Sequence, residues 1–309
     1  DGAAHRRHRD PFAPAFRAQA VRERFHAFVA EEVVRLVDRL DAAGRTELRR
    51  GLAGPLAVRT MAYALGLSAT DPDRVLGLYD AIVAAVTEIT AGRAAPASGR
   101  EAYALLCSAL EPSLGADPDA SLLATAASQA GGLPRDAVLS NAAVLLFGGI
   151  ETTEGMIANA FAHLLAAPGA ADRARAVPEA LDAAIEESLR LEPAAAVVDR
   201  YATRDVALGG ARVQVRELVI VSLAGANRDP AVFEAPDRFD ERRPGLARQL
   251  AFAQGPHVCV GLHLARLEAR VALGRALERW PRLRLDPAHR SEARGLVFRK
   301  PPTVHVRWD

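Results

Sequence analysis

Between Pro14 and Leu40 apolar side chains recur at Val21, Phe25, Phe28, Val29, Val33, Leu36, Val37 and Leu40, the three-to-four spacing that lays one apolar stripe along a helix. Leu52 to Leu67 and Arg74 to Thr90 share this character and predict two more helices, followed by a Gly-, Ala-, Pro- and Ser-rich loop over Ala91 to Gly99. Pro134 suits the first turn of a helix, and only Gly148-Gly149 interrupts the apolar pattern before Pro168. At about 1.5 Å per residue that helix runs roughly 50 Å. After Pro193 the period changes to alternation. Val206 to Val215 reads as a hairpin around Gly209-Gly210, Leu218 to Leu223 as a strand, and Val297 to Trp308 as a second hairpin turning at Pro301-Pro302. A helical stretch, Leu262 to Leu277, lies between them. With no repeat and no linker, residues 1–309 are expected to form one domain, mainly α with a small β portion.

Composition narrows the chemistry. A chain of 309 residues with 50 % hydrophobic and 25 % charged side chains is long enough for a large core and belongs with globular proteins. A net charge of +1 gives no global field for nucleic acid. Cys107 and Cys259 form no C-x-x-C and the eight histidines no H-E-x-x-H, so zinc is unsupported and a reducing compartment is expected. Lys300 is the only lysine among 39 Lys plus Arg residues, which leaves Schiff-base and phosphate-loop chemistry almost nowhere to sit. Apolar runs such as Ala142 to Ile150 are too short to span a bilayer, and the opening decapeptide lacks signal-peptide features. A cytoplasmic location without membrane contact is the expectation.

The most distinctive segment is Phe252-Ala-Gln-Gly255-Pro-His257-Val-Cys259-Val-Gly261, directly before the Leu262 helix. Gly255 and Gly261 are expected to adopt backbone angles barred to other residues and to wrap the chain around Cys259. Unpaired N–H groups at the helix start then favour a thiolate. A buried structural cysteine is the plainer alternative. A cysteine nucleophile using His257 is poorly served, because the two stand close together on a tight loop with no orienting third group.

All five fixed positions of this segment match F-x-x-G-x-H-x-C-x-G, and the chain resembles the cytochrome P-450 monooxygenases, whose haem-binding signature this is. The resemblance implies the cytochrome P-450 fold and a heme b (iron protoporphyrin IX) whose iron takes an axial thiolate from Cys259. Leu145 to Thr153 resembles the family's distal helix, where an acid and an alcohol, here Glu151 and Thr152, relay protons to bound oxygen. Taken alone, Thr152 is equally able to bond a carbonyl one turn earlier while Glu151 points to a solvated groove. Glu187-Ser-Leu-Arg190, which alone reads as a surface ion pair, resembles the family's E-x-x-R element. Its third member is assigned to Arg243 by spacing from Phe239, with Arg242 or Arg238 as alternatives. The haem propionates require cationic partners, and the resemblance offers His257, Arg200, and His5 with Arg9, although His5 to Arg9 also reads as a solvated basic end. Asn227-Arg-Asp-Pro230 and Pro236-Asp-Arg-Phe239 match bacterial members as well.

The implied activity is that of a soluble bacterial-type monooxygenase inserting one oxygen atom from dioxygen into a small apolar organic substrate by hydroxylation or epoxidation. Electrons are expected from NAD(P)H through a reductase and a ferredoxin-type redox partner docking on arginines near the cysteine face, to a monomer that binds no nucleic acid. Ala195, Ala196, Val197 and Val198, with Gly148 and Gly149, are candidates for the pocket wall. The likeness begins at what looks like the family's third major helix, so an N-terminally shortened form is expected, either a fragment or a shortened paralogue. A haem-binding sensor or carrier without turnover, a peroxide-driven enzyme and a cofactor-free helical binding protein are the alternatives.

Overall fold

The computed structural model describes residues 1–67, 69–90, 92–129 and 131–309, with Ala43 and Thr90 described by their backbone only. Its helices are α1 (Gly2–Arg9), α2 (Ala18–Leu40), α3 (Gly54–Ala64), α4 (Pro72–Thr90), α5 (Ala97–Leu110), α6 (Leu122–Ser128), α7 (Arg135–Ala166), α8 (Ala170–Ala176), α9 (Pro178–Leu191), α10 (Leu223–Ala226) and α11 (Leu262–Arg279). Ala91, where the expected loop begins, lies outside the described residues; residues 93–96 are irregular and α5 starts at Ala97.

The apolar stripe on α2 is the face it buries, with Val21, Phe25, Val29, Val33, Leu36 and Val37 inside and α11 packed against it. The helix does not reach back to Pro14. Residues Ala13–Phe16 form a separate 3₁₀ turn, and Arg17 is extended at ψ 150°. Helix α7 follows Pro134 and stops before Pro168. From Gly155 to Ala162 every residue of it is buried, the pattern of a helix surrounded by protein rather than lying on it. α3, α9 and α11 pack around it, which puts its middle turns at the centre of the molecule.

The strands are β1 (Arg45–Glu47), β2 (Val197–Tyr201), β3 (Val206–Leu208), β4 (Ala211–Val213), β5 (Leu218–Ser222), β6 (Arg284–Leu285) and β7 (His305–Arg307). β3 and β4 form the expected hairpin, with Gly209 and Gly210 at φ +55° and +83°, the pair of left-handed residues that a tight two-residue turn demands. β5 pairs antiparallel with β2, a strand the sequence pattern did not reveal. The hairpin expected at Val297 to Trp308 is absent. β7 lies between β1 and β6 in an antiparallel sheet, Thr46 opposite Val306 and Leu285 opposite Val306 on its other edge. Phe298 instead bridges to Ala195. Two consecutive prolines cannot donate to a ladder, so the chain runs through Pro301-Pro302 to a distant partner instead of folding back.

Candidate active site

A cavity of about 330 Å³ separates α7 from the cysteine loop and the start of α11. Val144, Leu145, Gly148, Gly149 and Thr152 form one wall, and Phe252, His257, Cys259 and Gly261 another. Helical spacing selects the α7 residues: 145, 148, 149, 152, 153 and 156 recur at threes and fours and line the cavity. Glu151 and Glu154, three apart, lie on a different flank.

The cysteine loop is held by its own backbone. Cys259 N–H donates to the Phe252 carbonyl (2.9 Å) and Val258 N–H to the Gly255 carbonyl (3.0 Å). Gly255 sits at φ +78°, a left-handed conformation that a Cβ would strain. Gly261 does not: at φ −86° any residue fits, and a Cβ there meets nothing within 4 Å. Its missing side chain leaves the cavity wall open, which replaces the conformational role expected for it. Arg9 Nη2 reaches across to the Val258 carbonyl (2.6 Å), and the Arg266 guanidinium lies 4.7 Å from the Phe252 ring centre.

Burial pushes the Cys259 thiol up, and the Gly261 N–H, Arg9 and Arg266 only partly offset it. In the free chain this burial opposes the thiolate expected of Cys259, whereas a coordinating metal deprotonates a thiol outright.

Thr152 Oγ1 donates to the Gly148 carbonyl one turn back (2.5 Å) while lining the cavity. Gly149 is where α3 presses closest, since a Cβ there would stand 2.3 Å from Met61 Sδ. Glu151, expected beside Thr152 in the site, is turned away. Its Oε2 accepts from Tyr79 Oη (3.0 Å) and its Oε1 lies 2.8 Å from Lys300 Nζ, which also contacts Glu154. The physical reason is the 100° step between successive helical residues, which carries Glu151 off the cavity face. Of the other expected wall residues, Ala195 and Val198 line the cavity, whereas Ala196 and Val197 are not among its described lining residues.

The basic residues meet at one rim. The His5 and His257 ring centres lie 4.0 Å apart with the planes tilted by 35°, and His257 Nε2 contacts Asp1 Oδ1. Desolvation first, then the neighbouring charges, lower both imidazoles, with Arg200 the leading charge on His257. Arg200 itself, on β2, is exposed and bonds the Asp199 carbonyl (2.8 Å). Deeper, Arg190 donates to Glu187 through Nε (2.7 Å) and Nη2 (2.8 Å), and Arg243 Nε donates to the same carboxylate at 3.0 Å. Arg238 contributes its carbonyl to both guanidiniums, not its side chain, and Arg242 makes no such contact among the described hydrogen bonds.

Sequence reasoning missed Glu268. It is 1 % exposed, lines the cavity from α11, and stands against the buried Thr60 hydroxyl. The available signal was an acid on the apolar stripe of Leu264, Ala272 and Ala276.

The residues fit haem. A sulfur projects into an apolar slot, and arginines and imidazoles gather at one edge, where two carboxylates need donors. Among the described residues no helix is long and apolar enough to cross a membrane.

Residues 179–305 match the family described as Cytochrome P450. The chain is 36 % identical to the Cytochrome P450 monooxygenase PikC of Streptomyces venezuelae, covering 93 % of this chain and 69 % of that protein. It is 35 % identical to Nocardicin C N-oxygenase of Nocardia uniformis subsp. tsuyamanensis (100 % and 78 %), and 34 % identical to the 20-oxo-5-O-mycaminosyltylactone 23-monooxygenase of Streptomyces fradiae (89 % and 65 %). The chain thus spans about two thirds to four fifths of these relatives. Among solved structures it superposes on P450BioI in complex with an acyl carrier protein, with a TM-score of 0.87 at 27 % identity over 100 % of this chain and 80 % of that one.

Proposed function

The chain belongs to the cytochrome P450 monooxygenase family, and on that footing we propose that it inserts one oxygen atom from dioxygen into a small apolar organic molecule. The observation that carries this reading is the placement of Cys259 and Thr152 on facing elements of one apolar cavity. Heme b bound there supplies the redox chemistry that activates dioxygen. The protein's own residues do the rest. Cys259 ligates the iron, and Arg9, Arg200, His5 and His257 hold the propionates. Val144, Leu145, Ala195 and Val198 give substrate an apolar wall and keep water out. The Thr152 hydroxyl, already donating to the Gly148 carbonyl, keeps its lone pairs for a proton donor in the cavity and passes protons on.

Electrons enter from the opposite side of α11. A groove between α2, α9 and α11 is bordered by Arg22, His26, His263, Arg266, Arg270 and Arg275. Arg266, Arg270 and Arg275 are paired with Glu186, Asp182 and Glu278, while Arg22 adds a further positive charge. This rim suits an acidic ferredoxin-type carrier fed by an NAD(P)H-dependent reductase, and Arg266, stacked on Phe252, links it to the cysteine loop.

The test is the absorbance of the haem-loaded, reduced, carbon-monoxide-bound protein. A main band far to the red, lost in Cys259→Ser, is expected. A colourless folded protein that refuses hemin refutes the proposal, and haem binding without substrate-dependent NAD(P)H consumption points to a haem-binding protein without turnover.

A further inference from the structure

The sequence holds two methionines, Met61 and Met156, and both line the cavity. They bracket Thr152 along α7. Met156 follows it by four residues on the same helix face. Met61 of α3 sets its sulfur against Gly149, three residues before Thr152, so closely that a Cβ there would stand 2.3 Å from Sδ. At 3 % and 4 % exposure neither thioether is offered to bulk solvent, so an oxidant reaches them through the cavity. A thioether is a soft, polarizable group that takes up a single oxygen atom. We propose that Met61 and Met156 are modification sites, which capture hydrogen peroxide released beside Thr152 as methionine sulfoxide before it damages the cofactor. This rests on the monooxygenase reading above.

Dioxygen that accepts two electrons and two protons without reaching substrate leaves as hydrogen peroxide. Its O–O bond breaks at the sulfur, one oxygen forms the S–O bond, and the other leaves as water with both protons. The sulfur is oxidised by two electrons and the peroxide is reduced by two. A methyl does not fit between Gly149 and Met61 Sδ, so the added oxygen at Met61 either points into the cavity or parts α3 from α7. Both outcomes set a polar S=O group in an apolar wall and slow further turnover, and a dithiol-driven sulfoxide reductase restores the thioether. Cys107, half-buried on α5 and not among the described lining residues, is the sulfur that oxidant in bulk solvent reaches first.

The experiment runs haem-loaded wild type, Met61→Leu, Met156→Leu and the double variant under air without substrate. NAD(P)H is supplied through a surrogate ferredoxin and its reductase, and catalase is added to the bulk solution. Leucine keeps close to the volume of methionine, a swap that cores tolerate, and removes the sulfur. Peptide mass spectrometry should find one added oxygen atom on Met61 and on Met156 ahead of Cys107, undiminished by catalase and reversed by methionine sulfoxide reductases with a dithiol. Each single variant should lose the added mass at its own site, and the double variant should bleach its haem several-fold faster than wild type. The proposal is overturned by unmodified methionines, by full protection from catalase, or by wild-type bleaching in the double variant. Wild type without a thiolate-type carbon-monoxide band overturns the parent reading, and that spectrum tells the two failures apart.

Discussion

Replacing Glu187 by alanine tests how the site is held. Glu187 and Arg190 are both 0 % exposed at the side chain, and Arg243 is 6 % exposed. One carboxylate therefore balances two buried guanidiniums. It accepts from Arg190 Nε and Nη2, from Arg243 Nε and from the Asp240 backbone N–H (2.9 Å). Without it the two cations keep the carbonyls of Asn227, Pro236 and Arg238, and of Glu234, Ala235 and Arg238, and the Phe233 ring beside Arg190, but no counter-charge from Glu187. Breaking a buried pair in this way costs about 3 to 5 kcal/mol, against a net stability of roughly 5 to 15 kcal/mol for a whole fold. The loss reaches the cysteine loop, because those carbonyls belong to residues 227–238 and Leu250 N–H bonds Asn227 Oδ1 at 2.7 Å. Urea unfolding of the haem-loaded protein should show the destabilisation, with haem content falling in parallel. Glu187→Gln, which keeps an acceptor but loses the charge, should lie between wild type and Glu187→Ala. A loss under about 1 kcal/mol with normal haem content, the behaviour of a surface pair, would refute the reasoning.

Thr152→Ala should load haem normally yet divert reducing equivalents to peroxide; unchanged product per reduced nicotinamide removes its role. Gly149→Ala drives a methyl against Met61 and should cost about 1 to 3 kcal/mol in overpacking, whereas Gly148→Ala, inside α7 with nothing within 4 Å of its Cβ, should stabilise the helix by about 0.5 to 1 kcal/mol, raising the melting temperature, and narrow the cavity, read as weaker haem loading. His163, buried on α7 beside Ser188 Oγ (2.9 Å), has its pKa lowered by burial to about 4. The unfolded imidazole takes a proton near pH 6.5 and the folded one does not, so the fold loses stability as pH falls through this window, by about 3 kcal/mol in full. His163→Gln should flatten that slope, and an unchanged pH profile in the variant counts against the assignment.

Local periodicity made α2, α4 and α11 legible, because each buries a face whose spacing survives in the sequence, while the short helices α6, α8 and α10 left no such pattern. Val21, Phe25, Val29 and Val33 announce α2 without reference to any partner. The strands were legible only where pairing is local. Gly209-Gly210 fixes β3 against β4 within a few residues, but β7 pairs with β1 across most of the chain, and nothing in either three-residue segment encodes that distant register. β2 stayed hidden for a related reason. Ala195 to Val198 is a short apolar run, and such a run does not separate strand from buried coil by period alone.

The site divides along the same line. Cys259, Gly255 and Phe252 act within one loop, so their spacing carries their geometry. Glu187 and Arg190 are joined by the i, i+3 step, and only the arrival of Arg243 depends on the path of the chain between them. Glu151 and Thr152 show where adjacency misleads. Neighbours in sequence, they diverge on the helix, so the hydroxyl enters the cavity while the carboxylate leaves it for Tyr79 and Lys300. Glu268 is the converse, distant from Thr152 by more than a hundred residues and yet on the same cavity. An acid set into an apolar helical stripe has no local reason to be there, and that misfit is the mark by which a sequence can point to a buried, cavity-lining acid before any fold is known.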